Sequence, residues 1–300
     1  MKRKILIFFF SHNRPRRIEA DMVAYIKAVQ AGVDANADDE EGDEESSDLL
    51  YWNVIEELSN RAASAASERH SCEPMEKILD KCTESQLLVL CTQFEGYWMH
   101  LWTNRYSSHV LQKIFIRLGK MVHAEEEGTV YVEEGRIIPT TMTVLGNMMN
   151  ELQVSFPELV QDVSASHVFR SFLCVLAGKQ PLVQKRGKKG KHRALATELR
   201  REEEMSSFVV PAQCTMWLEK IIKQLLLDCE QSQLHALIHD THAGPVLSVL
   251  FRLLPVELVD SALEKVLNWE SNPERAQDLF YEFSGHPVAS HMMESVSFII

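Results

Sequence analysis

Small polar and histidine side chains recur together in the sequence, each time just before an apolar run. In four segments these residues fall at positions i, i+1 and i+4. The trios are Ser108, His109, Gln112; Ser166, His167, Arg170; Gly244, Pro245, Ser248; and Ser290, His291, Glu294. A weaker fifth copy supplies Cys72, Glu73 and Glu76. Because residues at i and i+4 lie one above the other on a helix, with i+1 beside them, each trio predicts one compact polar surface.

The chemistry open to such a trio is recognition of a flat, hydrogen-bonding ligand. Side chains at i and i+4 can bond the Watson–Crick edge of an unstacked base, while a ring at i+1 stacks against it. We therefore predict that the trios line one continuous RNA-binding face. The simpler interpretation is helix capping, since serine is favoured where helices begin. Four copies with the same apolar register downstream make capping alone the weaker interpretation.

Helices must position these trios, because the apolar residues after each one keep a helical spacing. The two clearest series are Val110, Leu111, Ile114, Phe115, Leu118 and Val168, Phe169, Phe172, Leu173, Leu176. Gly119 and Gly178 then stand where helices would be capped at their C-termini. Similar segments separated by unequal insertions are typical of stacked helical repeats. The sequence predicts an all-α solenoid with insertions at about 123–138 and 179–207.

Composition and charge agree with a helical chain and leave the partner open. Of 300 residues, 45% are hydrophobic and 25% are charged, and only 12 are glycine and 10 proline. This composition favours helices over a turn-rich β-protein. The net charge of −12 is segregated, with eight acids from Asp38 to Asp48 and six Lys or Arg residues from Lys185 to Arg193. We predict a poorly ordered head at 1–48, with a short amphipathic piece around Met22 to Val29 and an acidic linker, and a helical repeat domain at 49–300.

Compartment signals are few. The six cysteines form no CxxC pair, which favours reduced core residues of an intracellular protein. The apolar run from Ile5 to Phe10 is short for a secretory signal, and no segment of the sequence is long and apolar enough for a membrane span. We predict neither a membrane nor a small-molecule partner.

Sites for catalysis or cofactors are weakly represented. His235 and His239 share a helix face and His242 follows, but neither an HExxH glutamate nor a cysteine cluster accompanies them. No GxxxxGK[ST] phosphate loop or GxSxG nucleophile elbow occurs. We therefore predict no enzyme activity, no cofactor and no metal, with a metal-dependent hydrolase built on the histidines as a minor alternative.

The residues of the repeats carry a specific resemblance. Arg105 to Gln112, Ser164 to Leu173 and His286 to His291 resemble the nucleolar protein nine family, the divergent Pumilio-like factors of small-subunit ribosome assembly. The similarity covers roughly Leu49 to Val296 and includes the two large insertions. It implies a Pumilio-like α-solenoid that binds precursor ribosomal RNA in the nucleolus without catalysis, with other ribosome-assembly proteins as further possible partners. It also implies more repeats than the chain holds, so the domain is predicted to be truncated at its C-terminus.

The resemblance assigns RNA contacts to particular trio residues, which are Ser108, His109, Gln112, Ser166, His167, Arg170, Ser290, His291, Glu294, Cys72 and Glu76. Ser108 with Gln112 resembles a Pumilio pairing for adenine, and Ser290 with Glu294 one for guanine. Gly244 and Pro245 offer neither a donor to a base edge nor an aromatic ring, so their repeat is predicted to be structural. Glu73 places an acid at the stacking position, which interrupts the pattern again.

Two further interpretations remain open from the residues alone. The chain could be a HEAT- or armadillo-like scaffold that binds protein without recognising RNA, in which case apolar or Asn-rich grooves would replace the polar trios. The Lys185 to Arg193 run could be a nuclear address, an RNA phosphate contact or a solvated loop.

Overall fold

The computed structural model describes residues 13–36, 44–122, 131–133, 135–179 and 208–297, which form helices and one two-stranded hairpin. The helices are α1 Ala20–Asn36, α2 Glu44–Glu57, α3 Ala62–Ser67, α4 Cys72–Lys81, α5 Glu84–Thr92, α6 Trp98–Thr103, α7 Ser107–Met121, α8 Thr141–Leu152, α9 Phe156–Leu159, α10 Ala165–Leu176, α11 Ala212–Ile222, α12 Gln231–His239, α13 Ala243–Arg252, α14 Val256–Leu267, α15 Pro273–Gly285 and α16 Ala289–Ser297. The strands are β1 Tyr131–Glu133 and β2 Arg136–Ile138. A 3-10 turn, Gln153–Ser155, joins α8 to α9, and a π-helical turn, Lys223–Leu227, extends α11.

The first of two compact units comprises Met1–Ile114 and Gly128–Leu152. In it α1 packs on α4, α2 on α5, and α8 on both α5 and α6. Its largest fully buried side chains include three tryptophans, Trp52, Trp98 and Trp102. The ring of Phe94 meets that of Trp98 edge to face, with 5.5 Å between the centroids. An apolar, aromatic core therefore holds the helices of this unit.

The second unit comprises Phe115–Glu127 and Gln153–Ile300. Here α10 packs on α13, and α13 packs on α16. Phe169 contacts Phe156 edge to face, with centroids 5.1 Å apart, and Phe172 lies 5.5 Å from Phe115. The apolar stripe that follows each trio in the sequence is thus the buried stripe of the helix, as its spacing predicts.

The head differs from the predicted disorder. Ile18, Met22, Ile26 and Val29 are buried, and α1 packs on α4. Their spacing places them on one helix face, so their burial can offset the entropy cost of ordering the segment. Helix α2 also begins inside the acidic run, at Glu44, where negative side chains favour a helix N-terminus. The prediction of a poorly ordered 1–48 is therefore wrong for residues 18–36.

The insertion predicted at 123–138 ends in an ordered hairpin that packs on the helices. Strand β2 contacts α5, and Ile138 is buried. The Arg136 guanidinium lies 4.5 Å from the ring centroid of Trp52 and 2.7 Å from Glu56 Oε1. Cation–π stacking and an ion pair thus fix the hairpin to α2. Residues 123–130 and 134 lie outside the described part of the chain.

The second insertion is closed at its base by backbone contacts. The Phe208 N–H donates to the Gly178 carbonyl at 2.8 Å, and Gly178 has a φ of +66° just after α10. Gly178 therefore ends its helix as predicted. The same prediction for Gly119 is wrong, because α7 continues to Met121 with Leu118 buried. Residues 180–207, which include the Lys185 to Arg193 run, lie outside the described residues.

We expect Gly178→Ala to destabilise the protein more than Gly135→Ala. Both glycines have positive φ, at +66° and +78°, so each alanine costs roughly 1–2 kcal/mol in backbone strain. A Cβ at residue 178 would also overlap the Phe208 carbonyl oxygen, whereas nothing lies within 4 Å of one at residue 135. Thermal unfolding midpoints of the two variants measure the difference. Equal losses would show that the contact at the base of the insertion is not tight.

Candidate nucleic-acid interface

One backbone arrangement recurs where five helices begin. In each, a side-chain acceptor accepts hydrogen bonds from the N–H groups two and three residues later. The acceptors are Glu68, Asn104, Asp162, Asp240 and His286. We call these five residues the cap residues. They supply the partners that a helix N-terminus lacks within its own backbone.

The carbonyl of each cap residue makes a matching contact. It accepts from the N–H four residues later, at 2.9–3.0 Å in all five cases. Those N–H groups belong to Cys72, Ser108, Ser166, Gly244 and Ser290, which are the first residues of the trios. The five segments are therefore superimposable in register, and the weaker copy at Cys72 belongs to the series. We number them as the first to fifth repeats.

The cap residues are the functional positions that the trio pattern misses. Asn104, Asp162 and Asp240 could have been found, because Asn and Asp commonly bond the N–H groups two or three residues later. Glu68 and His286 carry no such signal, since neither residue type is typical of this turn. Sequence alone therefore shows the trios but not the groups that hold them in place.

The first residue of each trio is buried or half-buried, and we call this position the floor of the trio. Cys72, Ser108 and Ser166 are 7%, 6% and 3% exposed. The Ser108 hydroxyl donates to the Arg105 carbonyl at 3.1 Å, and the Ser166 hydroxyl donates to the Val163 carbonyl at 3.4 Å. Ser290 is half-buried. A ligand can therefore meet only a small polar atom at this position.

The second and third trio residues form the rim around that floor. His109 is exposed, and His167 and His291 are half-buried, as are Gln112 and Arg170. The Arg170 guanidinium lies 2.5 Å from His167 Nδ1. Since a guanidinium can only donate, Nδ1 accepts and the ring carries its proton on Nε2. Arg170 thus orients the ring of its neighbour.

The fifth repeat holds its histidine differently. His291 Nδ1 lies 3.6 Å from Glu294 Oε2, and Glu294 is exposed. A carboxylate accepts hydrogen bonds, so this rim presents acceptors where the third repeat presents donors. The rims of the third and fifth repeats are therefore chemically distinct.

The first repeat is the acidic one. Cys72 Sγ lies 3.5 Å from the Arg69 carbonyl oxygen. Burial of this thiol, and then the negative charge of Glu76, raise the pKa of Cys72 above its ordinary value. The thiol is therefore protonated near neutral pH and is a poor nucleophile. Glu73, at the stacking position, is exposed.

The fourth repeat is a packing element. A Cβ at Gly244 would lie 2.5 Å from Val288 Cγ1, so only glycine lets α13 approach the start of α16 this closely. The Ser248 hydroxyl donates to the Gly244 carbonyl at 3.1 Å and is buried. Pro245 is tolerated because it lies in the first turn of its helix. Gly244 and Ser248 thus serve packing, and the prediction that this repeat does not contact RNA stays a prediction.

Within each unit the trio-bearing helices are neighbours. Helices α10, α13 and α16 of the third to fifth repeats pack in that order. In the first unit, Lys113 Nζ on α7 donates to Asp80 Oδ1 on α4 at 2.6 Å, which joins the first and second repeats. The prediction that all the trios share one continuous face stays a prediction.

The histidines weighed as metal ligands serve packing and backbone contacts. His235 Nε2 lies 2.9 Å from the Val266 carbonyl oxygen, and His239 Nδ1 lies 2.7 Å from that of His235. The His239 ring also meets that of His286, with centroids 4.5 Å apart. Within the described ranges, no three His, Cys, Asp or Glu side chains are grouped so that they could hold a metal.

Replacement of a cap residue should loosen the helix that it starts. Asp162 accepts from Ser164 and Ala165 N–H, both at 2.8 Å, so Asp162→Ala should lower the free energy of unfolding by about 0.5–2 kcal/mol. Asp162→Asn keeps an acceptor, as Asn104 does in the second repeat, and should lose far less. Urea unfolding of the two variants provides the measurement. Equal losses would mean that these bonds do not hold the helix start.

The helices of the described residues include none that is long and apolar enough to cross a membrane.

The sequence model of the NOP9-like PUF repeat domain matches residues 60–297 of the chain. Nucleolar protein 9 of Debaryomyces hansenii is 24% identical, over 93% of this chain and 42% of the relative. Nucleolar protein 9 of Coccidioides posadasii is 27% identical, over 93% of this chain and 41% of the relative. The chain thus spans less than half the length of these relatives.

Solved structures of Pumilio-type proteins share the fold. The structure of APUM23 with GGAAUUGACGG has a TM-score of 0.69 at 19% identity, and the match covers 94% of this chain and 49% of that one. The same protein with GGAGUUGACGG gives 0.67 at 20% identity, with coverage of 94% and 49%. The chain therefore has the all-α, Pumilio-type helical repeat fold. Because the family model spans most of its residues, the chain belongs to the family of NOP9-like PUF repeat proteins.

Proposed function

We propose that the chain binds single-stranded RNA through the trios, and that its natural ligand is precursor ribosomal RNA in the nucleolus during assembly of the small ribosomal subunit. One observation carries the RNA-binding proposal, namely the five cap residues that hold a trio at the same place on five helices. In the second, third and fifth repeats all three trio positions are polar, which a merely structural helix start would not need. The relatives named nucleolar protein 9, and the RNA in the APUM23 structures, support the ligand and the compartment.

The geometry suits base recognition of limited specificity. The second, third and fifth repeats each combine a small floor residue with a histidine ring and a polar rim residue. The fourth repeat has no aromatic ring at the stacking position, and the first has the carboxylate of Glu73 there. Consecutive bases therefore cannot all be read, and overall sequence specificity should be weaker than in a regular Pumilio protein. The hydroxyls of Ser108 and Ser166 donate to backbone carbonyls and not to a histidine, so we propose a binding function without catalysis.

A protein-binding scaffold of the HEAT or armadillo type is the second candidate. It would use the same stacked helices, but its groove would be apolar or rich in asparagine. The histidines and the rim side chains at the trio positions favour RNA over an apolar peptide. Loss of RNA binding on trio substitution separates the two candidates.

We expect His109→Ala with Gln112→Ala to weaken RNA binding by more than about tenfold, because a stacked base is worth roughly 1–3 kcal/mol. Folding should change little, since His109 is exposed and Gln112 half-buried. The measurement is fluorescence anisotropy with a randomised single-stranded oligoribonucleotide library, at one fixed salt concentration.

The matched control is Gln213→Ala with Gln233→Ala, which removes two exposed glutamines from α11 and α12, outside the trio series. This control should bind RNA as the parent does. Equal RNA affinity for the trio variant and the parent, with matched helical circular dichroism, would rule out base recognition by the second repeat.

For the compartment, we propose that the Lys185 to Arg193 run contributes to nuclear and nucleolar residence. The density of six Lys or Arg residues in nine positions motivates this, together with the family. Neutralising the run in a fluorescently tagged chain should redistribute it toward the cytoplasm under the microscope. Undiminished nuclear accumulation would assign the address elsewhere, to Lys2 to Lys4 or to Arg14 to Arg17.

A further inference from the structure

The repeat register shows a charge pattern that the trios do not use. Counted from the cap residue, the first and second repeats both carry a cation at offsets +1, +9 and +13. The pairs are Arg69 and Arg105, Lys77 and Lys113, and Lys81 and Arg117. The third to fifth repeats carry no charge at any of these described offsets, where they have Val163, Thr241, Pro287, Ser171, Val249, Ser295, Val175 and Leu253. The pattern thus distinguishes the first two repeats from the others.

These positions lie in line with the stacking residues. The stacking residue is the fifth after the cap residue. The ninth and thirteenth residues follow it at successive steps of four, so they lie along the same helix face. On α4 the line runs from Glu73 through Lys77 to Lys81, and on α7 it runs from His109 to Lys113. The first two repeats therefore continue the ligand-facing line of each helix with ammonium groups.

The cations at these offsets in the first two repeats reach solvent. Arg69, Arg105 and Lys81 are exposed, and Lys77 and Lys113 are half-buried. We call these five residues of the first unit the basic stripe. At the same offsets, Val175, Val249 and Ser295 are buried. Among the described residues at these offsets, only those of the first two repeats therefore present charge to solvent.

The acids around the basic stripe limit where an anion can bind. Asp80 accepts a hydrogen bond from Lys113, and Glu73 and Glu76 lie in the first half of α4. An ion pair between partly exposed groups is worth about 0–1 kcal/mol, so an anion can compete with Asp80 for Lys113. The start of α4 repels anions, whereas the second half of α4 and the line along α7 attract them.

We propose that the basic stripe binds the phosphodiester backbone of RNA without reading its sequence. The proposal rests on the proposed function and names the RNA group that the first two repeats hold. It accounts for the first repeat, which lacks a ring at its stacking position but keeps its cations. A backbone contact needs positive charge and no base, because phosphates carry no sequence information.

The test compares salt dependence with sequence preference. Each phosphate contact to single-stranded RNA contributes about 0.7 to the slope of log affinity against log salt. In the variant Lys77→Gln, Lys81→Gln, Lys113→Gln, the magnitude of that slope should therefore fall by about 2. It should also weaken binding to oligo(A) and oligo(U) by the same factor. The trio variant His109→Ala, Gln112→Ala should change the ratio between the two oligonucleotides and leave the slope unchanged.

The matched control is Lys27→Gln, Lys220→Gln, Lys223→Gln, which removes the same charge from exposed positions on α1, α11 and the π-helical turn. It should retain the parent's slope. A second variant, Glu73→Gln, should raise affinity for both oligonucleotides several-fold, because it removes a repulsive charge from the same line. Circular dichroism and thermal unfolding should match across all the variants.

The outcomes separate the two proposals. An unchanged slope in the stripe variant, or an equal loss in the control, would overturn the basic stripe while leaving base recognition intact. A parent chain that binds neither oligonucleotide at low salt would overturn both. A stripe variant that alters the preference between oligo(A) and oligo(U) would show that these lysines read bases, contrary to the inference.

Discussion

Each interior helix start must satisfy backbone N–H groups that have no partner in their own helix, and the rest of the candidate site depends on how this is done. Five cap residues meet the requirement with one geometry, although their side chains are a carboxylate, an amide or an imidazole. The cap side chain holds the loop before the helix in one conformation, which sets the residue at which the helix begins. That first helical residue determines which side chains lie on each face of the next two helical turns. Polar trios and apolar stripes therefore share one origin.

That common origin explains why the repeats tolerate such different trio chemistry. The cap uses side-chain and backbone atoms that precede the trio, so residues at i, i+1 and i+4 can change without disturbing the helix start. In the fourth repeat the first trio position serves packing, since Gly244 admits Val288. The first repeat carries acids at two of its trio positions. Beyond the cap itself, only the buried stripe is held in common, because the neighbouring helix must pack against it.

The sequence predicts the helices and the register of the trios well, because both depend on local spacing. Thr83 illustrates this, since a threonine followed three residues later by a glutamine favours a capping box, and the structure has that box between Thr83 and Gln86. Prediction from the sequence fails where contacts between segments far apart in the chain determine the structure. Helix α1 is stabilised by packing on α4, which lies far from it along the chain. Helix α7 continues through Gly119 because burial of the neighbouring side chains outweighs the roughly 1 kcal/mol that a glycine costs inside a helix. The cap role of His286 could not be predicted, since it is visible only once the ring meets the helix N-terminus.

An acidic protein can bind a polyanion only if its charges are separated in space. Exposed charges further apart than about 8–10 Å are largely screened at physiological salt, so a ligand responds to the local arrangement and not to the net charge of −12. Within the described residues, α7 carries Lys113, Arg117 and Lys120 and no acid. Its partner α4 carries three acids and two lysines, with one of the acids bonded to Lys113. On these two helices the positive charge thus lies in lines along the helix, which suits an extended chain of phosphates better than a compact anionic ligand.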